Sequence, residues 1–403
     1  MQGVINNGDV AFMVIATVLV FFMTPGLAFF YGGLVERKNS LSIMIYSFIA
    51  IGIVTVMWVL GGFSLVFGND IGGIIGNPMQ YFMLKGVDFT INPNYGSKIP
   101  FLMFFMYQLM FAIITAPLMT GAFANRMTIS GWVKVLILWM LIIYFPVAHW
   151  VWGGGFLAKL GFVDYAGGMV IHTTAGFGAL AAVLYLGKRA YIAPRGAGSI
   201  AFVTIGGAIL LFGWFGFNSG GALASGETAA IAFTNTGIAA GFATIVWVAI
   251  RYAQQRHFSI IELITGAVAG LATITPASGY VTPQASVFIG IIAALICICC
   301  LQFAKRMKWD DALGVWGVHG MGGFTGTLLI GLLATPNVNG ITTTAHQFLI
   351  QLLGASIAAA YAFIVTLVIL KIVDTTGTMR VSPEIQKEGL DRHLLGETFT
   401  VND

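Results

Sequence analysis

The sequence predicts an all-α integral membrane protein, in which eleven transmembrane helices form an inverted five-helix repeat followed by a long eleventh helix. Three observations support this fold class. Hydrophobic residues make up 58% of the 403 residues and charged residues only 8%, whereas a soluble domain carries about 25% charged residues. Apolar stretches of about 20 residues, the length that crosses a bilayer, recur along the whole chain. Basic residues also concentrate in alternate loops between these stretches.

Eleven stretches are long and apolar enough to be predicted as transmembrane helices. They are approximately residues 9–34, 41–67, 99–122, 130–150, 167–187, 199–218, 228–251, 260–276, 284–304, 312–334 and 345–372. The chain therefore divides into a membrane domain, residues 1–372, and a polar C-terminal tail, residues 373–403. The first nine residues contain no basic residue of the kind that begins a signal peptide, so we expect none here.

The basic residues predict the orientation of the chain. The loops after helices 1, 3, 5, 7 and 9 hold twelve of them: Arg37, Lys38, Arg126, Lys134, Lys188, Arg189, Arg195, Arg251, Arg256, Lys305, Arg306 and Lys308. The other loops hold three, Lys85, Lys98 and Lys159. Because short cytoplasmic loops are enriched in lysine and arginine, we expect the N-terminus outside and the C-terminus in the cytoplasm.

Two histidines are the strongest candidates for a functional role. His172 and His319 each lie mid-way along an apolar stretch, and both begin the pattern His-x-x-x-Gly-Phe. Polar rings in hydrocarbon are costly and tend to be functional, and a matched pair in two halves of a chain indicates a shared site at a repeat interface. The alternative is that each ring donates to a helix carbonyl and only fixes packing. A pore lined by apolar groups and two imidazoles suits a small hydrogen-bonding solute, not a hydrated metal ion.

Five helices per repeat is an odd number, so a second copy must enter the membrane inverted. Weak similarities between segments at equivalent positions in the two halves support such a repeat. The first helix ends in Phe30-Tyr-Gly-Gly33 and the sixth in Phe217-Asn-Ser-Gly-Gly221, while the third contains Thr115-Ala-Pro117 and the eighth Thr275-Pro276.

Asp164 opens the segment that leads to His172. A carboxylate at this position is expected to cap the helix by accepting backbone N–H groups, and an electrostatic role towards a bound cation is compatible with that. Trp152 and Phe217 lie in glycine-rich segments at predicted helix ends. Aromatic residues there are commonly interfacial anchors, but ring faces also attract a bare cation by about 0.5–2 kcal/mol. His149, one turn from Trp152, is predicted to be structural.

Several function classes receive no support from the sequence. The three cysteines lie in one apolar segment and are predicted to be packing residues, and no Cys/His metal spacing occurs. Nucleotide-binding and Ser/His/Asp motifs are absent from the sequence, so we expect no enzyme activity, no catalytic residue and no cofactor. A net charge of +4 with scattered basic residues does not favour nucleic-acid binding.

At these residues the chain resembles the ammonium transporter (Amt/Mep/Rh) family nearly end to end. The matching segments begin with Asp164-Tyr-Ala-Gly-Gly-Met-Val-Ile-His172 and include Pro25-Gly-Leu-Ala-Phe-Phe-Tyr-Gly-Gly33, His149-Trp-Val-Trp-Gly-Gly-Gly155, Gly213-Trp-Phe-Gly-Phe-Asn218, Thr275-Pro-Ala-Ser-Gly-Tyr280 and Gly317-Val-His-Gly320. The resemblance implies a homotrimer in the plasma or inner membrane, with one pore in each protomer. It also implies ammonium and its analogue methylammonium as substrates.

The resemblance implies a role for each candidate residue. Phe111 and Trp152 would recruit NH4+ at an outer vestibule, Phe111 and Phe217 would form the gate beneath it, and His172 and His319 would line the pore. Asp164 would maintain the cation site, and three residues match further pore-lining or supporting positions: Trp214, Tyr144 and Thr275. The tail resembles a segment that communicates between protomers and with PII-type signal proteins.

Four departures from the family pattern affect the functional interpretation. Gly221 stands where many bacterial members have a recruiting serine, although Ser219 is two residues away, and Tyr107 replaces a common phenylalanine. Gly314 and Asn125 replace acidic residues. The leading hypothesis is an ammonium transporter or channel. The substitutions at Gly221, Gly314 and Tyr107 favour the second hypothesis, an ammonium sensor that signals to a cytoplasmic kinase or other partner with little flux. A channel for another neutral solute would need a different polar lining.

Overall fold

The computed structural model describes residues 4–192 and 197–399. Arg195, one of the basic residues used to predict the orientation, lies outside the described residues, as do residues 1–3 and 400–403. The described chain is dominated by long helices, with apolar side chains packed between them and further apolar side chains exposed on the outside of the bundle. Helices are suited to a bilayer, because each helix satisfies its own backbone hydrogen bonds where no water is present.

Within the described residues, helical structure lies on each of the predicted stretches, and the helices are labelled α1 to α11 accordingly. They are α1 (Asn7–Leu34), α2 (Ser40–Met57, continued by Trp58–Gly62 and Phe63–Phe67), α3 (Phe101–Leu118), α4 (Ile129–Trp139, continued by Met140–Tyr144 and Phe145–Trp152), α5 (Gly168–Thr173, continued by Thr174–Leu186), α6 (Ile200–Ser219), α7 (Glu227–Gln255), α8 (Ile260–Ile274), α9 (Pro283–Arg306), α10 (Trp316–Gly320, continued by Met321–Leu333) and α11 (Ala345–Asp374).

The remaining elements are short. Two tail helices follow α11, namely α12 (Pro383–Glu388) and α13 (Leu390–Leu395). Strands β1 (Asp70–Ile71) and β2 (Ile75–Gly76) form an antiparallel hairpin after α2. Single helical turns are found at Arg37–Asn39, Phe82–Leu84, Met119–Gly121, Phe156–Lys159, Gly220–Ala222 and Pro336–Asn339.

Within the described residues, nine helical segments are long and apolar enough to cross a membrane. These segments contain α1 to α7, α9 and α11. Helix α8 has 15 residues, and α10 has 13 residues after a five-residue wide turn, so both are shorter. The all-helical prediction is confirmed, while the count of eleven spans and the orientation of the termini stay predictions.

Glycines allow the backbones of α1 and α6 to come into direct contact where the two helices cross. A Cβ on Gly33 would lie 2.7 Å from the Ser199 carbonyl oxygen, and a Cβ on Gly206 would lie 2.6 Å from the carbonyl oxygen of Gly26. Small residues are what permits such close approach between membrane helices. The first helix of each predicted repeat therefore packs against the other.

The described part of the C-terminal tail folds against the end of the bundle where α1 ends, which we call the predicted inner face. The opposite end, which carries the β1–β2 hairpin, is the predicted outer face. The Thr128 N–H donates to the Met379 carbonyl at 2.8 Å. The Asp391 carboxylate accepts the N–H groups of Leu41 at 3.0 Å and Ser42 at 2.8 Å, and so caps the start of α2.

Candidate functional site: a histidine pair beneath stacked aromatic rings

The two candidate histidines meet inside the bundle. His172 Nδ1 lies 3.3 Å from His319 Nδ1, and the ring centroids are 5.2 Å apart. Such a contact requires one nitrogen to donate and the other to accept, so the pair shares one N–H between the two rings. His172 is 2% exposed and His319 6%. The Nε2 atom of His172 is buried and has no hydrogen-bond partner within the described chain, so it offers a contact for a small polar solute.

Both histidines lie in π-helical turns. His172 belongs to the segment Gly168–Thr173 and His319 to Trp316–Gly320. π turns are rare and are often found at functional sites. His172 is the fifth residue of its helix and His319 the fourth residue of its own, so each ring lies at the wide turn with which the helix begins.

Asp164 caps the turn that carries His172. Its Oδ1 accepts the N–H groups of Gly167 at 2.9 Å and Gly168 at 2.8 Å, and its Oδ2 accepts those of Met169 at 2.8 Å and Val170 at 2.9 Å. The first N–H groups of a helix have no partner within the helix. Four buried donors therefore depend on this one carboxylate.

Asp311 caps the turn that carries His319, although it was not among the site residues predicted from the sequence. The Asp311 carboxylate accepts the N–H groups of Val315 at 3.0 Å and Trp316 at 2.8 Å. Asp164 precedes His172 by eight residues, and Asp311 precedes His319 by the same number. This equal spacing was the signal that could have identified Asp311 as the counterpart of Asp164.

The glycines of the two His-x-x-x-Gly-Phe patterns explain how the rings come together. A Cβ on Gly176 would overlap the backbone of Gly320, the residue after His319. Reciprocally, a Cβ on Gly323 would lie 2.8 Å from the Cβ of His172 and 3.1 Å from the Thr173 nitrogen. Each glycine thus lets its own helix approach the histidine turn of the other half.

Aromatic rings lead from the predicted outer face to the histidines. The rings of Phe111 and Phe217 lie 4.3 Å apart between centroids, with an interplanar angle of 32°. Trp152 lies 6.3 Å from Phe111, edge to face, and Phe217 lies 6.0 Å from His172. The indole N–H of Trp152 donates to the Asp164 carbonyl at 2.9 Å. The rings of Trp152, Phe111, Phe217 and His172 therefore form a contiguous row.

Three cavities lie along this line. An outer cavity of about 410 Å³ is lined by Phe111, Trp152 and Tyr107 among others, and an inner cavity of about 450 Å³ opens between α1, α7, α8, α9 and the loop before α10. Between them lies a narrow cavity of about 10 Å³, bounded by Phe217 and both histidines, which is room for about one water-sized molecule. Its other walls are mostly apolar: Met23, Leu27, Phe30, Ile114, Leu118, Ile171, Leu210, Trp214 and Val268.

Trp214 and Thr275 support the narrow cavity, whereas Tyr144 stands apart from it. The Trp214 ring stacks on His172 at 5.2 Å, and its N–H donates to the Thr275 hydroxyl at 2.8 Å. Tyr144 is buried in the π turn of α4 beside Phe145 and is not among the residues lining the narrow cavity. No group of three His, Cys, Asp or Glu residues within the described chain could hold a metal ion.

The structure shows what the residues that depart from the family pattern contact at the outer cavity. Gly221 lines the cavity, and a Cβ there would lie 2.9 Å from Tyr165 Cε1 and 3.1 Å from the Tyr165 carbonyl oxygen. Ser219 does not line it, because its hydroxyl donates to the Phe215 carbonyl at 2.5 Å. The Tyr107 hydroxyl donates to the Phe217 carbonyl at 2.8 Å, so it braces the gate ring.

The departures at the predicted inner face lie in tight loops. Gly314 has a φ of +73°, a conformation that favours glycine. Asn125 has a φ of +64° and precedes Arg126, a buried residue whose guanidinium donates to the Asp310 carbonyl at 2.8 Å. Burial alone would raise the pKa of Asp310, but hydrogen bonds and charge from Arg189 outweigh it and lower that pKa. An ion pair between Arg189 and Asp310, 2.6 Å from Nη2 to Oδ1, therefore holds the loop before Asp311 in place.

Comparison with known proteins identifies the family. The model of the Ammonium Transporter Family matches residues 11–400. The chain is 42% identical over 395 residues to ammonium transporter Amt1 of Archaeoglobus fulgidus, covering 96% of this chain and 97% of that protein.

The chain belongs to the ammonium transporter family.

Two solved structures share its fold. The crystal structure of Candida albicans Mep2 superposes with a TM-score of 0.86 at 35% identity, covering 92% of this chain and 85% of Mep2. A structure described as a sensor Amt protein gives a TM-score of 0.88 at 30% identity, covering 96% of this chain and 98% of that one. The resemblance drawn from the motifs is confirmed. This transporter family member is a multi-pass membrane protein, and its family is not one of enzymes.

Proposed function

We propose that this chain recruits NH4+ at the outer aromatic cavity, deprotonates it near the Phe111–Phe217 gate and conducts NH3, with or without the proton, past His172 and His319. The observation that carries this proposal is the order of the cavities along the row of aromatic rings. A wide cavity with ring faces narrows to an apolar passage with room for about one water-sized molecule. Ring faces attract the cation, whereas desolvating an unpaired ion in an apolar passage is very costly. The neutral molecule therefore passes more readily than the ion.

The proposal includes the arrangement of the chain in the membrane. Residues 1–372 form eleven spans with an inverted repeat, the N-terminus lies outside, and residues 373–403 form a cytoplasmic tail. The distribution of basic residues supports this orientation, and the reciprocal glycine contacts at His172 and His319 support the repeat. We propose a homotrimer of such protomers in the lipid bilayer of the cell membrane.

A sensor is the second candidate function. It is favoured by the likeness to the sensor Amt protein, which extends over nearly the whole of both chains. In that case ammonium binding at the same cavity would be communicated through the docked tail to a kinase or a PII-type signal protein, with little flux.

Uptake of labelled methylammonium into liposomes that contain the purified protein separates these functions. A transporter gives saturable uptake above that of protein-free liposomes. Measurable ammonium binding by the same protein without uptake would overturn transport and favour the sensor.

Replacing Trp152 by alanine should weaken ammonium recruitment. Loss of the ring removes a cation–π contact of about 0.5–2 kcal/mol, so the half-saturation constant for methylammonium should rise about two- to thirtyfold. Trp152→Phe is the matched control, because it keeps a ring face but loses the N–H that holds the Asp164 carbonyl. Equal half-saturation constants in the wild type and in Trp152→Ala would contradict cation–π recruitment.

Replacing Gly221 by alanine should also weaken recruitment, because the new Cβ would press on Tyr165, with its Cε1 only 2.9 Å away. Gly221→Ser adds the same Cβ together with a hydroxyl that could accept a hydrogen bond from NH4+. We therefore expect a higher half-saturation constant in the alanine variant than in the serine variant. Identical constants in the two variants would show that a hydroxyl at this position does not contribute.

A further inference from the structure

Gln351 is a fully buried carboxamide near the start of α11. Its Oε1 atom accepts the Val163 N–H at 3.0 Å and the Gln347 amide N–H at 3.1 Å. Its Nε2 atom donates to the carbonyl oxygens of Val163 at 2.8 Å and Thr327 at 3.2 Å. A carboxamide has two N–H donors and an oxygen with two lone pairs, so every hydrogen-bonding position of this amide is used.

The partners of Gln351 fix the direction of its amide. The Val163 N–H can only donate, and the Thr327 carbonyl can only accept. A reversed amide would set an N–H group against the Val163 N–H and an oxygen against the Thr327 carbonyl. The Gln347 amide, which also donates to the Gly161 carbonyl at 3.1 Å, matches the observed direction. The hydrogen bonds are therefore satisfied in one orientation of the side chain.

The bonds of Gln351 reach the segments of both histidines. Val163 immediately precedes Asp164, whose carboxylate caps the turn of His172. Thr327 lies on α10, eight residues after His319. One amide group therefore bonds both to the segment before the first histidine turn and to the helix that continues the second.

Helix α11 packs closely on both sides of Gln351. A Cβ on Gly331 of α10 would lie 2.5 Å from the Phe348 Cα, and a Cβ on Gly354 would overlap the ring of Phe162. Phe348, Gln351 and Gly354 are spaced by three residues and share one face of the helix. This face of α11, a helix outside the predicted five-helix repeats, therefore contacts both halves of the chain.

We propose that Gln351 is a positioning residue, which holds the two histidine turns at the distance at which His172 and His319 share a hydrogen bond. This role rests on the proposed function, in which ammonia passes the two rings. Loss of the amide leaves the N–H and the carbonyl of Val163 without these partners and removes the bond that ties the Val163 segment to α10. The two turns can then move apart.

Recruitment should depend on Gln351 much less than conduction does. The rings of Trp152 and Phe111 are carried by α4 and α3. Within the described residues, the Gln351 amide bonds to neither of these helices. A change at Gln351 should therefore act on the rate of passage rather than on the affinity for the cation.

Nitrogen-15 solid-state NMR of the full chain in lipid bilayers tests the positioning directly. The hydrogen bond between His172 Nδ1 and His319 Nδ1 gives a correlation between the two nitrogen signals, and His172→Ala assigns it by removing it. Gln351→Met keeps the length of the side chain but has no amide, so we expect the correlation in the wild type and its loss in this variant. A correlation that is absent from the wild type, or retained at full strength in Gln351→Met, would overturn the proposal. The measurement requires no transport, so its failure is distinguishable from failure of the proposed function.

Thr366→Val is the matched control, because it removes a different buried hydrogen bond of α11. The Thr366 hydroxyl accepts the Trp139 indole N–H of α4 at 3.1 Å, and valine keeps the size of the side chain. This variant should retain the nitrogen correlation, even where its thermal unfolding temperature falls as far as that of Gln351→Met. Loss of the correlation in both variants would show that general loosening of α11 moves the rings, and would contradict a specific role of the Gln351 amide.

Methylammonium uptake per amount of folded protein tests the consequence for transport. In Gln351→Met the maximal rate should fall at least about tenfold, because small displacements of positioned groups carry large losses of rate, while the half-saturation constant stays near the wild-type value. Thr366→Val should keep both values. A raised half-saturation constant with an unchanged maximal rate, or wild-type values for both in Gln351→Met, would contradict the role.

Discussion

Asp164→Ala should abolish ammonium transport and should also destabilise the protein by about 3 kcal/mol or more. The substitution leaves four buried N–H groups without an acceptor, and each unsatisfied buried donor costs about 1–3 kcal/mol before relaxation. The turn that presents His172 would then lose its geometry. Thermal unfolding in detergent and uptake in liposomes are the measurements.

Asp374→Ala is the matched control for this prediction, because Asp374 is an exposed aspartate whose side chain, within the described residues, accepts a hydrogen bond from the Tyr185 hydroxyl at 3.0 Å. It should leave both stability and uptake near the wild-type values. Asp164→Asn should give stability and uptake between those of Asp164→Ala and the wild type. Its one amide oxygen can still accept, while its amide N–H groups oppose the backbone donors. Wild-type uptake in Asp164→Ala would contradict the positioning of His172 by this carboxylate.

Gly323→Ala should reduce transport more than tenfold. Its Cβ would lie 2.8 Å from the Cβ of His172 and would press on the Thr173 nitrogen, so α10 and the His172 turn must separate. Overpacking of this kind costs about 1–3 kcal/mol, and a separation of even 0.5 Å would take the Nδ1 atoms beyond a hydrogen bond. Uptake and thermal unfolding measure the two effects.

The control for Gly323→Ala is Gly241→Ala, because a Cβ at Gly241 meets no atom within 4 Å. Helical glycine replaced by alanine in open space is neutral or slightly stabilising. We therefore expect normal uptake from Gly241→Ala. If both alanine variants transported equally well, the close contact between the two halves would be irrelevant to conduction.

The helices were predictable from the sequence because an apolar stretch of about 20 residues has few structures open to it in a membrane. The histidine motif was predictable as well, since polar rings stand out against apolar neighbours. The pattern does not reveal why each motif carries a glycine four residues after the histidine. That reason lies in the other half of the chain, where Gly176 meets Gly320 and Gly323 meets His172.

Other parts of the site could not be read from local sequence. Asp311 stands in a loop with Asp310, and only comparison of its spacing to His319 with that of Asp164 to His172 distinguishes the two aspartates. The bond between His149 and Asp70 joins residues 79 positions apart, and no periodicity encodes it. Ser219 lies two residues from Gly221 in sequence, but its hydroxyl bonds back to the carbonyl four residues earlier and so leaves the cavity.

The most direct test of the account compares wild type with His172→Ala in liposomes after an ammonium pulse, recording current and internal pH together. We expect a saturable response in the wild type, either a current or an internal alkalinisation, and its loss in His172→Ala because the shared N–H between the rings is gone. A wild-type response retained in His172→Ala would contradict conduction past the histidine pair. No response from a wild-type protein that still binds ammonium would contradict transport itself.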